Sequence, residues 1–240
     1  MTDNTIYNQY GQPVTYSNTR AFSKLMTNVY VWMTMGLAMT GLSAMYVAKS
    51  HQLMQLIFGN SLVMWGLIIA ELAIVMYMSA RVMRMSFMSA GLMFALFSVL
   101  NGVNMASIFV IYTMQSIAQV FFITAGTFAG MSLVGFVVKK DLGFMGRILM
   151  MLLIGIIIAT VVNLFVKSTG LMMILSYLGV AVFVGLTAYD TQKIKNMMMM
   201  YGDDVNDNTS KLALMGSLTL YLDFINLFLY LLRIMGSRRD

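Results

Sequence analysis

Stretches of about 20 apolar residues recur along the chain with short polar breaks between them, the length an α-helix needs to cross the hydrocarbon core of a bilayer. Seven such stretches predict spans near Leu25 to Ala48, Ser61 to Ala80, Ser86 to Tyr112, Gln115 to Val138, Arg147 to Val166, Leu171 to Tyr189 and Leu212 to Leu232. The pattern predicts an all-α polytopic integral membrane protein. Residues 1–24 read as a polar tail, 25–232 as the seven-span domain and 233–240 as a basic tail. The first of these holds the only proline, Pro13, and lacks the apolar centre of a cleavable signal peptide. The seventh stretch is the most polar, carrying Gly216, Ser217, Thr219, Asp223 and Asn226, and is expected to be the helix that the others surround.

Composition strengthens this picture: 60% of the residues are hydrophobic and 10% charged, with a mean hydropathy of +0.81. Ordinary globular chains are about 45–50% apolar and about 25% charged. The net charge of +6 does not point to nucleic acid, because basic residues fall singly or in pairs between apolar runs. The absence of cysteine and the single histidine, His51, exclude disulfides, Cys/His zinc sites, thiol nucleophiles and any Ser-His-Asp arrangement not built on His51. His51 itself is expected in a short solvated connector.

Positive residues are retained on the cytoplasmic side. One set of connectors holds Arg20, Lys24, Arg81, Arg84, Lys139, Lys140, Arg147, Lys193, Lys195 and Lys211; the other holds Lys49 and Lys167. The amino terminus is therefore expected in the cytoplasm. Arg233, Arg238 and Arg239 after the last span break the rule if that span crosses fully and obey it if the span is re-entrant. The side of the carboxyl terminus stays open at this stage.

Gly126 and Gly130, flanked by Ala125 and Ala129, form a GxxxG that is expected to let a neighbouring backbone approach the fourth span. The 28 methionines, Met197 to Met200 among them, read as filling for irregular apolar gaps rather than a Cu(I) site, since no Cys or His accompanies them. Asp203, Asp204 and Asp207 resemble the start of a calcium loop, yet Thr209 and Met215 stand where its Gly and bidentate Glu belong. A solvated turn is expected there, with Asn208, Thr209 or Ser210 capping the last helix.

A charge in hydrocarbon costs at least about 2.5–3.5 kcal/mol and survives only when paired, wetted or useful. The acidic residues within the spans are Glu71, Asp190 and Asp223. Glu71 lies mid-way along the second span and about 15 Å along the axis from Arg81, too far for a helical pair. Asp190 closes the sixth span in GLTAYDTQKIK, with Thr187 one turn back and Lys193 one turn forward. Asp223 sits in a polar stripe with Gly216, Thr219, Asn226 and Tyr230, recurring every three or four residues. Such a stripe lines a cavity or a helix partner.

The phrases FFITAGTFAGMSLVGF with KKDLGF, AYDTQKIK, and SLTLYLDFINLFLYLLR resemble the Bax inhibitor-1 (transmembrane Bax inhibitor motif) family in its bacterial branch, from roughly Arg20 to Arg233. The resemblance implies a seven-helix bundle, two triplets around a central seventh helix, acting as a pH-sensitive calcium leak in the bacterial cytoplasmic (inner) membrane. The family's paired aspartates fall on Asp190 and Asp223. Its second-helix arginine, which bridges the first aspartate, falls on Arg81 or Arg84, so these are the candidates for a gating salt bridge. No tightly bound cofactor is implied; Ca²⁺ is the permeant ion, and the partners are the bilayer, Ca²⁺ and protons.

Two carboxylates brought together in a low-dielectric interior share one proton and ionise as a unit. Once the proton leaves, the pair presents oxygens to a hard divalent ion, with Asn226, Thr219 or Thr187 able to add neutral ones. The two aspartates are accordingly expected within hydrogen-bonding reach of each other or bridged by one water. The plainer reading is that they pair with Arg and Lys to fix helix register. An intramembrane aspartyl protease would need a GxGD against Tyr189-Asp190, but Leu220, Tyr221 and Leu222 precede Asp223 and no PAL motif occurs, so no enzyme is expected. A third class, a regulatory protein that binds another membrane protein such as a membrane protease or a cell-death regulator, leaves little trace in a sequence.

Overall fold

The structure is a computed structural model that describes residues 19–201 and 204–239. Its helices are α1 (Thr19–Lys49), α2 (His51–Phe58), α3 (Ser61–Arg81), α4 (Phe87–Met105), α5 (Ile108–Ile111), α6 (Met114–Val137), α7 (Gly143–Val166), α8 (Thr169–Tyr201) and α9 (Asp207–Met235), with a 3-10 turn over Val82–Arg84. Seven of the helical segments are long and apolar enough to cross a membrane. The spans fall where the apolar runs placed them, and the differences lie at their ends.

Helix α1 takes in residues 19–24, so Arg20 and Lys24 begin the first span rather than end a tail; residues 1–18, with Pro13, lie outside the described residues. His51 opens the eight-residue α2, held by the Ser50 hydroxyl, which accepts the Leu53 N–H at 3.3 Å. The third span breaks at Ala106 and Ser107, where i→i+3 bonds replace the α-helical ladder and α5 follows as a separate turn. Helix α8 runs past Asp190 for about 16 Å to Tyr201, so Asp190 stands inside a helix and not at its end. The cap of α9 is Asn206, which accepts from the Thr209 N–H while Thr209 Oγ1 accepts from the Asn206 N–H. This capping box puts the cap two to four residues before the expected ones. Asp203 lies outside the described residues.

Helix α9 is the core of the bundle, as its polarity predicted: 67% of its most apolar stretch is buried, against 6% for α3 and 11% for α7. It packs on α1, α4, α6 and α8, whereas α7 leans on α8 and α3 on α4. Leu214, Leu218, Leu220, Tyr221, Leu227 and Leu232 are each at most 2% exposed. Lipid has no preference among apolar side chains, so these contacts are set by close packing of helix faces. The close approaches occur at Gly102, where a Cβ would strike the Thr40 carbonyl of α1, and at Gly135, where one would strike the Ala188 carbonyl of α8.

The GxxxG expectation is overturned. Nothing in the described residues comes within 4 Å of where a Cβ would stand on Gly126 or Gly130. The face of α6 that packs inward carries Thr124, Phe128, Ser132 and Gly135, and the two glycines lie on the other side.

The carboxyl terminus resolves the open question of the last span. Thr113 donates its N–H to the Ser237 carbonyl at 3.1 Å and Arg239 donates to the Ile111 carbonyl at 2.9 Å, giving an antiparallel bridge between Tyr112 and Arg238. The Ser116 hydroxyl accepts the Ser237 N–H at 2.9 Å. The α5–α6 connector lies at the end of the bundle opposite the ten basic residues, here called the far end. Helix α9 therefore crosses fully, and Arg233, Arg238 and Arg239 are held at the far end by backbone bonds against the charge rule.

Candidate functional site

Asp190 of α8 and Asp223 of α9 meet inside the bundle, their carboxyl groups within hydrogen-bonding reach of each other. Asp190 is 8% exposed and Asp223 4%, and Asp223 Oδ2 has no hydrogen-bond partner among the described residues. A carboxyl–carboxyl hydrogen bond needs a proton, because two ionised groups offer only acceptors. The geometry brings the expected pair together.

The neutral groups around it are partly committed to their own helices. Thr187 donates to the Phe183 carbonyl at 2.7 Å, Thr219 to the Met215 carbonyl at 3.1 Å, and Asn226 Nδ2 to the Leu222 carbonyl at 2.8 Å. Thr187 and Thr219 thus spend their single hydroxyl protons within their own helices, whereas Asn226 keeps a second N–H, and the oxygens of all three keep lone pairs. Thr191 donates to Ser132 of α6 at 3.3 Å, tying a third helix to the turn that follows Asp190. No group of three or more His, Cys, Asp and Glu side chains occurs among the described residues. A divalent ion at the pair would therefore draw on two carboxylates and on neutral oxygens.

The arginine bridge is not formed. Arg81 and Arg84 are both exposed, and the salt bridge among the described residues is Lys211–Asp207 at 2.9 Å. The reason is the turn after α3: Val82 points inward at 5% exposure and the two arginines point out. Lys211, 4% exposed on α9, donates to the Met85 carbonyl at 3.2 Å and so occupies the place from which the turn is held. The cation that acts on Asp190 is Lys193, one turn along α8. It also lies 5.9 Å over the Tyr189 ring.

Glu71 does not join the pair. It faces Asn104 of α4. It lies on the side of α9 that carries Tyr221, two residues and more than half a helical turn from Asp223. The Tyr221 hydroxyl is 2.6 Å from Thr40 Oγ1, which in turn is 2.9 Å from the Gly36 and Ser98 carbonyls. Because Thr40 donates its hydroxyl hydrogen to one of those carbonyls, Tyr221 is the donor to Thr40. An apolar cavity of about 90 Å³ lies nearby between α1, α4 and α5, α6 and α9; Thr40 is its polar lining residue and is already bonded.

Gln192, two residues past Asp190, was not singled out by its sequence context. It is 5% exposed, accepts the Leu142 N–H at 2.8 Å, and donates to the Val138 and Lys140 carbonyls at 3.1 and 3.0 Å. One side chain thus clamps the α6–α7 connector to α8. Glutamine inside a long helix carries no periodic signal of such a role.

Residues 22–240 match the family described as inhibitor of apoptosis-promoting Bax1. The inner membrane protein YbhL of Escherichia coli strain K12 is 50% identical over 214 residues, 89% of this chain and 92% of the relative. The chain belongs to the Bax inhibitor-1 family. A protein of Borreliella burgdorferi is 44% identical over 218 residues, 91% of this chain and 94% of the relative. A membrane protein of Streptococcus pyogenes serotype M1 is 29% identical over 238 residues, 98% and 99% of the two chains. This Bax inhibitor-1 family member is a membrane protein that sits in a lipid bilayer, and both members of its aspartate pair fall within the matched region.

Proposed function

We propose that this family member is a pH-sensitive leak for Ca²⁺ or a similar cation, gated by the proton shared between Asp190 and Asp223. The observation that carries the reading is the buried pair on adjacent helices, with one Asp223 oxygen unpartnered. While the proton is shared, it ties α8 to α9. When it leaves, like charges part the helices and present oxygens that suit a hard cation. Acid favours the tied, closed arrangement, and neutral pH the conducting one. The ion passes unaltered, so the role is that of a conduit and not an enzyme. The ten basic residues at one end against Lys49, Lys167 and the three tail arginines at the other support a cytoplasmic amino terminus. On that orientation, in a bacterial cytoplasmic membrane, Asp190 meets protons from the cytoplasm.

A second reading, a regulator of another membrane protein, is favoured by the outward face of α6, where Gly126 and Gly130 leave room for a foreign helix. Flux separates the two. Purified protein in liposomes loaded with a Ca²⁺ dye should pass Ca²⁺ faster at about pH 8 than at about pH 5. Asp190→Asn should flatten that profile. Asp223→Asn, which also removes the free ligand oxygen, should lower flux by roughly 5-fold to 150-fold, the equivalent of about 1–3 kcal/mol. No flux above empty liposomes, or a wild-type profile in both variants, would refute the leak and leave the regulator.

A further inference from the structure

The tail arginines stand against the charge rule, and an apolar cavity lies beside them. Arg239 donates from Nη1 to the Phe109 carbonyl at 3.2 Å, and Phe109 lines the cavity of about 90 Å³ between α1, α4 and α5, α6 and α9. Phe228 of α9, also in its wall, stands about 10 Å before the helix ends at Met235. The cavity therefore belongs to the far leaflet. Helix α1 packs along α4 and α9, and α6 along α8 and α9, so the two face each other across α9 at the cavity. They close at the opposite end, where the Phe22 and Phe136 rings stand 6.3 Å apart. Phe121 in the wall is 39% exposed, which leaves the cavity open sideways to hydrocarbon.

No described side chain fills this space. Nothing stands within 4 Å of where a Cβ would lie on Gly41, which lines it. Its polar lining residue, Thr40, is bonded to Tyr221, so water has no partner there and the space stays dry. A void of this kind leaves its walls short of dispersion contacts. It is smaller than the roughly 150 Å³ that holds a benzene ring, and takes a short stretch of hydrocarbon chain. The medium at its mouth supplies such a chain.

The charges beside the mouth select among lipids. Arg238 and Arg239 are exposed, and neither forms an ion pair among the described residues. The described acidic residues lie mid-membrane, at Glu71, Asp190 and Asp223, or at the basic end, at Asp141, Asp204 and Asp207. The Arg239 guanidinium keeps N–H groups beyond the one given to Phe109, and its planar fork matches two oxygens of a phosphate. Basic groups at a cleft between spans suit anionic headgroups. A zwitterionic lipid brings its own cation beside the phosphate and gains less there. We infer that Arg238, Arg239 and the cavity form a site for one anionic phospholipid of the far leaflet, its phosphate on the arginines and part of an acyl chain against Gly41 and Phe109. The site stands on its own geometry and does not depend on the leak.

The test is native mass spectrometry of the full-length protein released from detergent micelles, titrated with dioleoyl phosphatidylglycerol and, separately, with dioleoyl phosphatidylcholine. One saturable phosphatidylglycerol adduct is expected, at least tenfold tighter than phosphatidylcholine. Gly41→Leu, which fills the cavity and leaves the arginines in place, should weaken that adduct at least tenfold. Arg238→Gln/Arg239→Gln, at exposed positions, should bring the two lipids within about twofold of each other. Glycerophosphate, an anion without chains, should not compete. Circular dichroism confirms the helix content of each variant; if Gly41→Leu does not fold, the arginine double variant and the competition decide. The inference is overturned if the wild type binds both lipids alike, if folded Gly41→Leu binds as the wild type does, or if the arginine variant keeps the preference. Displacement of the lipid by glycerophosphate would also overturn it, reducing the site to the arginines alone. Ca²⁺ flux is read separately, so either proposal can fail while the other stands.

Discussion

Gln192→Leu isolates a contact that the structure makes and the sequence conceals. The side chain makes three hydrogen bonds to the connector over residues 138–142, at 2.8, 3.0 and 3.1 Å, from a position 5% exposed. Each such bond contributes about 0.5–1.5 kcal/mol net. Lys140 is exposed, so its freed carbonyl rehydrates and the total falls below three full bonds, at about 1.5–3 kcal/mol. Leucine fills nearly the same volume, so helix α8 should persist and the loss should be local. The Leu142 amide, protected by Gln192 Oε1, should then exchange with solvent roughly 10-fold to 150-fold faster. Hydrogen–deuterium exchange of the protein in nanodiscs, read on peptides covering the connector, measures it. Gln192→Glu is the control, because it keeps the acceptor for Leu142 but meets the Val138 and Lys140 carbonyls with no donor. Exchange of Leu142 within twofold of the wild type in Gln192→Leu would refute the clamp.

Two further outcomes bear on the turn after α3 and on the carboxyl terminus. Because neither Arg81 nor Arg84 forms an ion pair with Asp190, Arg81→Ala and Arg84→Ala should leave the pH profile of Ca²⁺ flux in liposomes where the wild type has it; a rise in flux at acid pH in either variant would restore the arginine bridge. Since Ser237 is held to the α5–α6 connector, Ser237→Cys, in a chain with no natural cysteine, should react with a membrane-impermeant maleimide added outside intact cells; labelling only after the membrane is opened would place the tail with the basic connectors.

The spans, their number and the central position of α9 were legible in the sequence because each is a property of one contiguous run. Hydrocarbon accepts about 20 apolar residues wherever they occur, and the most polar run has to be shielded by the rest. The aspartate pair was legible for the same reason: a carboxyl in the membrane must find a partner, and Asp190 and Asp223 were the two with polar neighbours at helical spacing. What the sequence did not determine was which face of a helix meets which neighbour. A span that is apolar all round carries no amphipathic stripe to orient it. Gly126 and Gly130 therefore had the right spacing for packing and the wrong face, while Gly102 and Gly135, without a motif, make the close approaches. Arg81 and Arg84 were close in sequence to a bridging position, yet the inward turn of Val82 and the reach of Lys211 from α9 set them outside. Glu71 was legible as an intramembrane acid, and the tertiary structure set it beside Asn104 and on the Tyr221 side of α9 rather than with the pair. The side of the carboxyl terminus was decided by a few backbone hydrogen bonds to residues more than 120 positions away, a long-range pairing that no local pattern encodes.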